Sequence, residues 1–428
     1  MSRPKFSSKR PLVGFFPLFY NLAETGRALL IAKRYVEQGG KAVFFSHGGQ
    51  YESLVKEHGF EVIRVEPIYS QEFIDDLWKF SRLEKTGSPF PLQILKTHVE
   101  HEISAYNKAG VELIVTTNNF PCSISARAAK IPLVFITPKV TGKFTIYPDD
   151  AEFSFTKFLP KKLKLAFINW SFPRSKMWVR PFKRLGKKYG LKEFRYSSDI
   201  TKGDYTFYSD FLELVQLPQS DIRSNEHFIG PIFLDELFNK TDKEYSTNEN
   251  IEKHLQKSDK NILLSLGSSG TKELFENILN SLSKTDYGVI AVYASIFSDD
   301  NLPDVADNIL LSKFVPSIKE LNKTVDLAIL HGGQGTVYTA AYAGKPVIGF
   351  PMQFEQHLNL EMLVKHGMAS IASRKFFNES LFLNMLREVF EKYESFLSNA
   401  QKLSKSLPEA KGDRNAIDLI IKIIEGEI

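Results

Sequence analysis

His331-Gly332-Gly333-Gln334-Gly335-Thr336 is the stretch of sequence that decides the fold. A largely apolar run, 325–330, precedes it, and a helical run that ends at Gly344 separates it from a second apolar run, 347–350. This order is typical of a strand, a glycine-rich turn, a helix and a second strand. Glycines let backbone N–H groups approach a ligand, and a helix start carries partial positive charge, so the pattern predicts a phosphate site. A plain strand-to-helix turn that needs glycine is the alternative.

An acidic residue and an amide, Glu355 and Gln356, follow the second apolar run and Pro351, from which Met352, Gln353 and Phe354 separate them. Together with His-x-Gly-x-Gly-Thr, this array resembles the donor-sugar signature of the GT-B glycosyltransferases. Within that fold it looks most like the UDP-glycosyltransferase group, that is, the family-1 and family-28-like nucleotide-sugar transferases. The resemblance implies that Glu355 and Gln356 hold hydroxyls of the transferred sugar. Carboxylate and amide groups suit a polyol because they accept and donate in fixed directions.

Alternating strand-like and helical segments run through both halves of the chain and predict an α/β fold with two doubly wound, Rossmann-like parallel sheets. In the first half we predict that the last strand covers 212–217. We predict an acceptor-binding domain at 1–230, a linker at 231–257, a nucleotide-sugar-binding domain at 258–410 and a helix at 411–428. The resemblance implies that this last helix crosses back onto the N-terminal domain.

A second glycine-rich turn, 267–271, follows the strand-like run 261–266 and contains Ser268 and Ser269. Its hydroxyl and N–H groups are predicted to bind the sugar donor's diphosphate across from the first turn, where His331, Gly333, Gly335 and Thr336 would do the same. Fixed hydrogen-bond donors there would stabilise the charge that develops as the sugar–phosphate bond breaks. A turn with a helix cap and a packed histidine is the alternative.

The nucleoside is expected to contact Phe314 and Val315, which resemble the family segment that holds the base, and Thr339. Many relatives carry a glutamate at the position of Thr339, where it grips both ribose hydroxyls. Threonine cannot make that contact, and relatives without the glutamate use both UDP- and dTDP-sugars. We therefore expect UDP first and dTDP second. Plain core packing of the 314–315 segment is the alternative.

The general base is predicted to be Glu24. Relatives carry a histidine or aspartate in the first strand-to-helix loop, and an ungapped match from the following helix brings Glu24 to that position. A carboxylate serves as a base when its surroundings tune its pKa, although a glutamate in the first turn of a helix is also common. Asn118 and Asn119, which follow the strand-like run 113–117, are predicted to lie on the acceptor side.

Charge is concentrated in the segment from Lys157 to Arg195, which holds thirteen Lys or Arg and one Glu, or +12 against +5 for the whole chain. Aromatic residues interleave with these cations, which suits an anionic membrane face; a solvated helical face is the alternative. Nucleic acid is excluded as a partner because no recognisable nucleic-acid module surrounds the segment. One cysteine and no long apolar run favour a cytoplasmic protein, peripheral to the inner face of the membrane.

We predict a hexosyltransferase that moves a sugar from a nucleoside-diphosphate sugar to a hydroxyl of a small-molecule or lipid acceptor, by single displacement with inversion. No metal and no cofactor are expected, because helix starts meet the phosphate charge and no DxD motif accompanies the site. A sugar-nucleotide epimerase shares the fold but needs acids and bases around the sugar. A non-catalytic GT-B partner or adaptor protein is the other rival.

Overall fold

A computed structural model describes the chain over residues 6–82, 84–139, 144–148, 158–215, 217, 219–237, 242–293, 296–297, 299–313, 315 and 317–428. The chain divides into two compact units. The N-terminal unit comprises Met1–Lys139, Asn169–Leu237 and Glu409–Ile428. The C-terminal unit comprises Val140–Ile168 and Phe238–Pro408.

The N-terminal unit is built on a seven-stranded parallel sheet in the order β3-β2-β1-β4-β5-β6-β7. Its strands are β1 (Leu12–Pro17), β2 (Lys41–Ser46), β3 (Val62–Arg64), β4 (Leu113–Thr117), β5 (Leu133–Thr137), β6 (Tyr205–Tyr208) and β7 (Glu226–Phe228). The central strands are apolar along their whole length because helices cover both faces of a parallel sheet. The strand order reverses at β1, so the ends of β1 and β4 flank a crevice.

The helices of the N-terminal unit up to β7 are α1 (Leu22–Glu37), α2 (Glu52–Glu57), α3 (Gln71–Ser81), α4 (Leu92–Ala109), α5 (Cys122–Ala128), α7 (Val179–Lys188) and α8 (Leu212–Val215). Helix α6 (Lys161–Ser171) lies mostly in the part of the chain that belongs to the C-terminal unit. The strand predicted at 212–217 is therefore wrong, because Leu212–Val215 forms one helical turn. The sheet is continued by β6, where Val134↔Tyr205 to Thr137↔Tyr208 pair in parallel with β5. The alternating run Tyr-Thr-Phe-Tyr of β6 suits a strand better than the short run that follows it.

The C-terminal unit has a six-stranded parallel sheet in the order β10-β9-β8-β11-β12-β13. Its strands are β8 (Asn261–Ser265), β9 (Gly288–Val292), β10 (Ile309–Ser312), β11 (Leu327–Leu330), β12 (Val347–Gly349) and β13 (Ala369–Ile371). The prediction of two parallel α/β sheets is confirmed. The strand order reverses between β8 and β11, so the glycine-rich turns that follow these two strands lie side by side at the switch point.

The remaining helices are α9 (Asp242–Leu255), α10 (Lys272–Leu282), α11 (Ile318–Thr324), α12 (Gln334–Ala343), α13 (Phe354–Lys365), α14 (Glu379–Glu391), α15 (Tyr393–Ser406) and α16 (Gly412–Glu425). The last of them, α16, belongs to the N-terminal unit. Arg34 of α1 donates to Asp413 of α16 at 2.7 Å. Gly412 allows the close approach, since a Cβ there would lie 2.3 Å from the carbonyl oxygen of Gly230. No helix in the described ranges combines the length and the apolar character that crossing a bilayer requires.

Candidate active site

The two glycine turns of the C-terminal unit converge on the side chain of His331, which lies at the end of β11. A Cβ on Gly267, in the turn after β8, would lie 2.5 Å from His331 Cε1. A Cβ on Gly333 would lie 2.2 Å from His331 Nε2. The imidazole therefore fits only because both flanking positions are glycine. Gly267 also adopts a φ of +55°, which disfavours a side chain at that position.

His331 is a neutral, buried imidazole. Burial lowers its pKa to about 4, against a smaller opposing effect of the Ser265 backbone. Within the described part of the chain, its Nδ1 atom has no hydrogen-bond partner. A buried polar atom without a partner is costly unless a ligand or water supplies one. The ring can therefore offer a hydrogen bond to a ligand at the two turns without carrying charge.

Helix α12 begins beside His331 and is open at its start. Its N-cap is Gly333, and no side chain caps the helix. The Thr336 hydroxyl donates to the Gly333 carbonyl at 3.0 Å, one turn back. Gly335 is exposed, and a Cβ there would meet no atom within 4 Å. The first-turn N–H groups and the positive end of the helix are therefore accessible to an anion.

The turn after β8 and helix α13 are tied together by Gln356. Its Nε2 donates to the Ser269 hydroxyl at 2.9 Å, and its Oε1 accepts from the Met352 N–H at 2.7 Å. Asn359 of the same helix donates to the Gly332 carbonyl at 3.0 Å. Gln356 is thus engaged with the protein through both ends of its amide, while Glu355 is half-buried. Their contact with a sugar stays a prediction.

Of the residues predicted to bind the nucleoside, Val315 and Thr339 lie in the described part of the chain. Phe314 lies outside the described residues, as does the side chain of Ser268. Val315 is buried in a cluster with Leu321 and Val325, which is a packing role. The Thr339 hydroxyl donates to the Thr336 carbonyl at 2.9 Å and accepts from Asn322 at 3.1 Å.

Glu24 lies in the first turn of α1 in the N-terminal unit and is 6% exposed. Its Oε1 accepts from Arg27 Nη1 at 3.1 Å and from Asn118 Nδ2 at 2.9 Å. Among the residues that the structure describes, none donates to its Oε2. Asn118 follows β4 with a φ of +59° and is itself held by the Thr137 hydroxyl at 3.2 Å. One carboxylate oxygen is therefore fixed, and the other has no protein partner in the described chain.

The two predicted asparagines are not brought together. Asn119 turns away from Glu24, and its Nδ2 donates to Glu102 Oε1 at 3.1 Å. Glu102 is fully buried on α4 and is also in contact with His47 Nε2 at 3.0 Å and with the hydroxyl of Ser125. The sequence analysis missed this network. A glutamate on the apolar face of α4, between Val99 and Tyr106, was the signal for it.

Partly exposed aromatic rings surround this end of the N-terminal sheet. The rings of Tyr20 and Trp78 meet edge to face at 5.7 Å, and Phe120 lies 6.5 Å from Trp178 between ring centroids. Burial, together with the nearby Glu24 carboxylate, raises the pKa of Tyr20. The surroundings of Glu24 are therefore apolar and aromatic on the side of Tyr20.

The basic segment forms α6 and α7 over most of its described length, whereas Lys157 lies outside the described residues. On α7 the apolar side chains of Val179, Phe182 and Leu185 are buried. Its exposed side chains are cationic: Arg180, Lys183, Arg184, Lys187 and Lys188. Trp170, near the end of α6, is 61% exposed, and Met177, just before α7, is 48% exposed. The part of the segment in the N-terminal unit thus exposes cations and apolar groups together.

No group of three or more His, Cys, Asp or Glu side chains is arranged to hold a metal ion within those parts of the chain that the structure describes.

Comparison with known proteins gives consistent results for both units. Residues 246–419 match the model of the glycosyltransferase family 28 C-terminal domain. The chain is similar to a "PGL/p-HBAD biosynthesis glycosyltransferase" of Mycobacterium tuberculosis (strain ATCC 25177 / H37Ra), at 26% identity over 77% of this chain and 75% of that protein. It is also similar to a "PGL/p-HBAD biosynthesis rhamnosyltransferase" of Mycobacterium bovis (strain BCG / Pasteur 1173P2), at 24% identity over 85% of this chain and 77% of that protein.

Solved structures share the whole fold. The calicheamicin glycosyltransferase CalG4 matches with a TM-score of 0.65 at 15% identity, over 98% of this chain and 99% of that one. The glycosyltransferase VinC, solved in complex with dTDP, matches with a TM-score of 0.62 at 14% identity, over 96% of this chain and 99% of that one. At these identities the structural likeness supports the fold, whereas the sequence matches support the activity.

Proposed function

Because this chain belongs to the GT-B nucleotide-sugar glycosyltransferases, we propose that it moves a sugar from a UDP-sugar, or secondly a dTDP-sugar, to a hydroxyl of a lipophilic acceptor. The observation that carries the proposal is the convergence of both glycine turns on His331. The C-terminal unit would bind the sugar donor, and the N-terminal unit would bind the acceptor.

The two turns support binding of a diphosphate. The open start of α12 offers N–H groups and partial positive charge to one side of the anion, and the turn after β8 offers Ser269 to the other. Neutral His331 adds a hydrogen bond. This arrangement stabilises the negative charge that the diphosphate gains as it leaves. In other enzymes, a bound metal ion supplies this stabilisation. We therefore propose that no metal ion or cofactor is needed.

Thr339 supports weak discrimination between uridine and thymidine diphosphates. Its hydroxyl is hydrogen-bonded to Thr336 and Asn322, so Thr339 does not provide the hydrogen bonds to a ribose 2′-hydroxyl that a glutamate carboxylate would provide. The structure of VinC contains dTDP. UDP stays the first choice in our proposal, and a difference in affinity of less than about tenfold between UDP and dTDP is expected, since one neutral hydrogen bond contributes about 1 kcal/mol.

Glu24 supplies the base in this proposal. Arg27 and Asn118 occupy its Oε1, which leaves Oε2 to take a proton from the acceptor hydroxyl. As that proton moves, the acceptor oxygen attacks the anomeric carbon from the side opposite the diphosphate. The bond between that carbon and the diphosphate oxygen breaks, and its electron pair leaves with the nucleoside diphosphate. A single displacement of this kind inverts the anomeric configuration.

The aromatic rings near Glu24 support an acceptor with a large apolar part. Tyr20, Trp78, Phe120 and Trp178 are only partly buried, and aromatic faces contribute large contact area to bound apolar groups. The Mycobacterium relatives named above are described as acting in PGL/p-HBAD biosynthesis. A lipid or a lipophilic natural product is the class of acceptor that we propose.

The basic segment supports attachment to an anionic membrane, which would place the enzyme at the inner face of a cytoplasmic membrane. Each Lys or Arg near an anionic leaflet contributes about 1 kcal/mol to binding. The five exposed cations of α7 therefore supply several kcal/mol, and exposed Trp170 and Met177 add a contribution that salt does not screen.

Transfer is tested with radiolabelled UDP-glucose, dTDP-rhamnose and related nucleotide-sugars against a panel of phenolic and lipid alcohols. We expect the label to move to an acceptor with release of the nucleoside diphosphate and with inversion at the anomeric carbon. An epimerised nucleotide-sugar would instead identify an epimerase. Binding of nucleotides without any product would identify a non-catalytic partner protein.

Membrane attachment is tested by co-sedimentation with vesicles that contain phosphatidylserine or phosphatidylglycerol. We expect binding at low salt that falls as salt rises, because the Debye length is about 10 Å at 0.1 M and shortens with salt. A variant with Lys183, Arg184, Lys187 and Lys188 changed to Glu should lose binding. The matched control changes four exposed lysines of the C-terminal unit, Lys365, Lys392, Lys402 and Lys405, to Glu. Equal loss in both variants, or no binding by the parent, would refute the membrane role.

A further inference from the structure

A buried carboxylate on helix α4 gathers hydrogen-bond donors from three other parts of the N-terminal unit. Glu102 is fully buried. Its Oε1 accepts from Asn119 Nδ2 at 3.1 Å and contacts His47 Nε2 at 3.0 Å. Its Oε2 accepts from the hydroxyls of Ser125 and Tyr106. Both oxygens are therefore satisfied, and together the donors hold the carboxylate in one position.

His47 carries the charge that balances Glu102. Its Nδ1 lies 2.9 Å from the Val65 carbonyl oxygen, and its Nε2 faces the carboxylate. Both partners are acceptors, so the ring donates to both only when each of its nitrogens carries a proton. Since His47 is 4% exposed, the two side chains form a buried ion pair. Desolvation offsets the attraction in such a pair, so stability alone does not explain it.

Asn119 carries this fixed position into the turn after β4. Its side chain is fully buried, and among the described residues its Oδ1 has no hydrogen-bond partner. The amide group is therefore oriented by its Nδ2, which donates to Glu102 and, at 3.2 Å, to the Cys122 sulphur. Its backbone N–H also donates to the Thr116 hydroxyl at 3.3 Å. Asn119 is thus anchored both to α4 and to β4.

Asn118 lies between two anchored residues and fixes the side chain of Glu24. Its φ of +59° is left-handed, a conformation that a residue with a side chain keeps where its surroundings impose it. Asn119 follows it, and before it the Thr117 hydroxyl donates to the Glu24 carbonyl oxygen at 3.0 Å. In this conformation Asn118 Nδ2 reaches Glu24 Oε1 at 2.9 Å. A continuous path therefore connects Glu102 to Glu24 through the two asparagines.

We propose that Glu102 and Asn119 are positioning residues for the base Glu24. They act by imposing the backbone conformation of Asn118. The proposal rests on the proposed function, in which Glu24 takes the proton of the acceptor hydroxyl. It gives Asn119 a role other than the contact with the acceptor that the sequence predicted. Since both residues act only through the base, their loss should lower turnover and leave the affinity for the sugar donor unchanged.

Asn119→Ala removes the link between α4 and the turn. Turnover at saturating donor and acceptor should fall about tenfold or more, because misplacing a reacting group by about 1 Å can cost about a hundredfold. The KM for the sugar donor should stay within about twofold of the parent. In the Glu24→Gln background, the same change should lower the remaining turnover by less than about twofold, because the base is already lost. An equal fall in both backgrounds would show that Asn119 acts independently of Glu24 and would overturn the proposal.

The matched control is Asn225→Ala in the same unit. Asn225 lies just before β7, and its Nδ2 donates to the Asp204 carbonyl oxygen at 2.8 Å. Both residues precede strands, whereas Glu24 and Asn118 follow the strands β1 and β4, at the opposite edge of the sheet. The control therefore loses an asparagine hydrogen bond far from the base and should turn over like the parent. A tenfold fall in the control would mean that any weakening of the unit lowers turnover, which would also contradict the proposal.

Two variants at Glu102 keep the test decisive if Asn119→Ala folds poorly. In Glu102→Gln, the carbonyl oxygen can take the position of Oε1, and the NH₂ group can donate to the hydroxyls of Ser125 and Tyr106, which can accept. Asn119 keeps its acceptor, so turnover should stay within about threefold of the parent. Glu102→Leu offers no acceptor, and turnover should fall as in Asn119→Ala. Parent-like turnover in folded Glu102→Leu would make the network purely structural and overturn the proposal.

Failure of the proposed function would give a different result. A parent protein that transfers no sugar from any nucleotide-sugar would refute that function, and parent-like turnover in Glu24→Gln would refute the base. In either case Glu102 has no base to position, and the inference is refuted with it.

Discussion

Replacement of Glu24 by Gln should separate catalysis from stability in the N-terminal unit. Arg27 and Asn118 both donate to Glu24 Oε1, so they will select the carbonyl oxygen of the new amide for that position. The NH₂ group then takes the position of Oε2, where it cannot accept a proton. Loss of general-base catalysis lowers rates by about 10²- to 10⁴-fold. We expect that fall in turnover at saturating sugar donor, with donor affinity within about twofold of the parent.

Stability should respond differently to Gln and to Ala at this position. Gln keeps both hydrogen bonds, and we expect its unfolding free energy to fall by about 1 kcal/mol. Ala leaves Arg27, which is 6% exposed, without its partner, and a buried charge stripped of its counter-ion costs about 3–5 kcal/mol. Urea unfolding measures both values, and transfer of labelled sugar measures turnover.

The matched control for this experiment is Glu52→Gln. Glu52 is also buried in the N-terminal unit, where it binds Arg64 at 2.9 Å and the Ser46 hydroxyl at 2.7 Å. This variant loses a carboxylate with similar partners, and we expect it to turn over like the parent. If Glu24→Gln retained turnover within about threefold of the parent, Glu24 would serve only to hold Arg27 and Asn118, and the assignment of the base would be refuted.

Two further predictions concern stability. Burial and, to a smaller extent, the neighbouring His47 lower the pKa of His98 to about 4, so the unfolded chain takes up a proton first and the protein loses stability as pH falls from about 6.5 to 4. His98→Phe should remove about 3 kcal/mol of that loss, as measured by urea unfolding at both pH values. If the stability difference between the two pH values were unchanged in His98→Phe, the assignment to His98 would be contradicted. Arg34→Ala removes the hydrogen bonds from α1 to Asp413 and Glu236 and should lower the free energy of unfolding by about 2 kcal/mol. Amide hydrogen exchange should then be faster in α16 than in α4. Equal exchange in both helices would show that α16 is held by its isoleucines alone.

The sequence predicted the structure best where a functional motif also requires a particular backbone conformation. Glycines between an apolar run and a helix predicted the turn between β11 and α12, and alternating strands and helices predicted two parallel sheets, both from local pattern. Short segments were harder, because Leu212–Val215 and Tyr205–Tyr208 each have only four residues, with polar and apolar side chains mixed in both. Pairing with β5 decides between them, and pairing is a property of the folded chain.

Side-chain partners at the site could not be predicted for the same reason. Gln356 and Ser269 are 87 residues apart, and Glu361 meets Thr145 across 216 residues. Asn118 and Asn119 are neighbours in sequence, yet they belong to different hydrogen-bond groups because Asn118 adopts a left-handed backbone conformation. The sequence could identify chemically suitable residue types at the ends of strands, whereas their partners depend on the packing of distant helices.

Binding of a nucleoside diphosphate to Gly335 variants tests the central claim most directly. Gly335 is exposed at the start of α12, and an added Cβ would meet nothing within 4 Å, so we expect that neither Ala nor Asp disturbs folding. Asp would put a negative charge where the diphosphate is expected, against the positive helix end. In calorimetric titration with UDP and dTDP, we predict that Gly335→Ala binds within about threefold of the parent and that Gly335→Asp, although folded, loses at least about a hundredfold in affinity, as for two lost charge-assisted hydrogen bonds. Parent-like binding by Gly335→Asp would show that the diphosphate does not lie at the glycine turns.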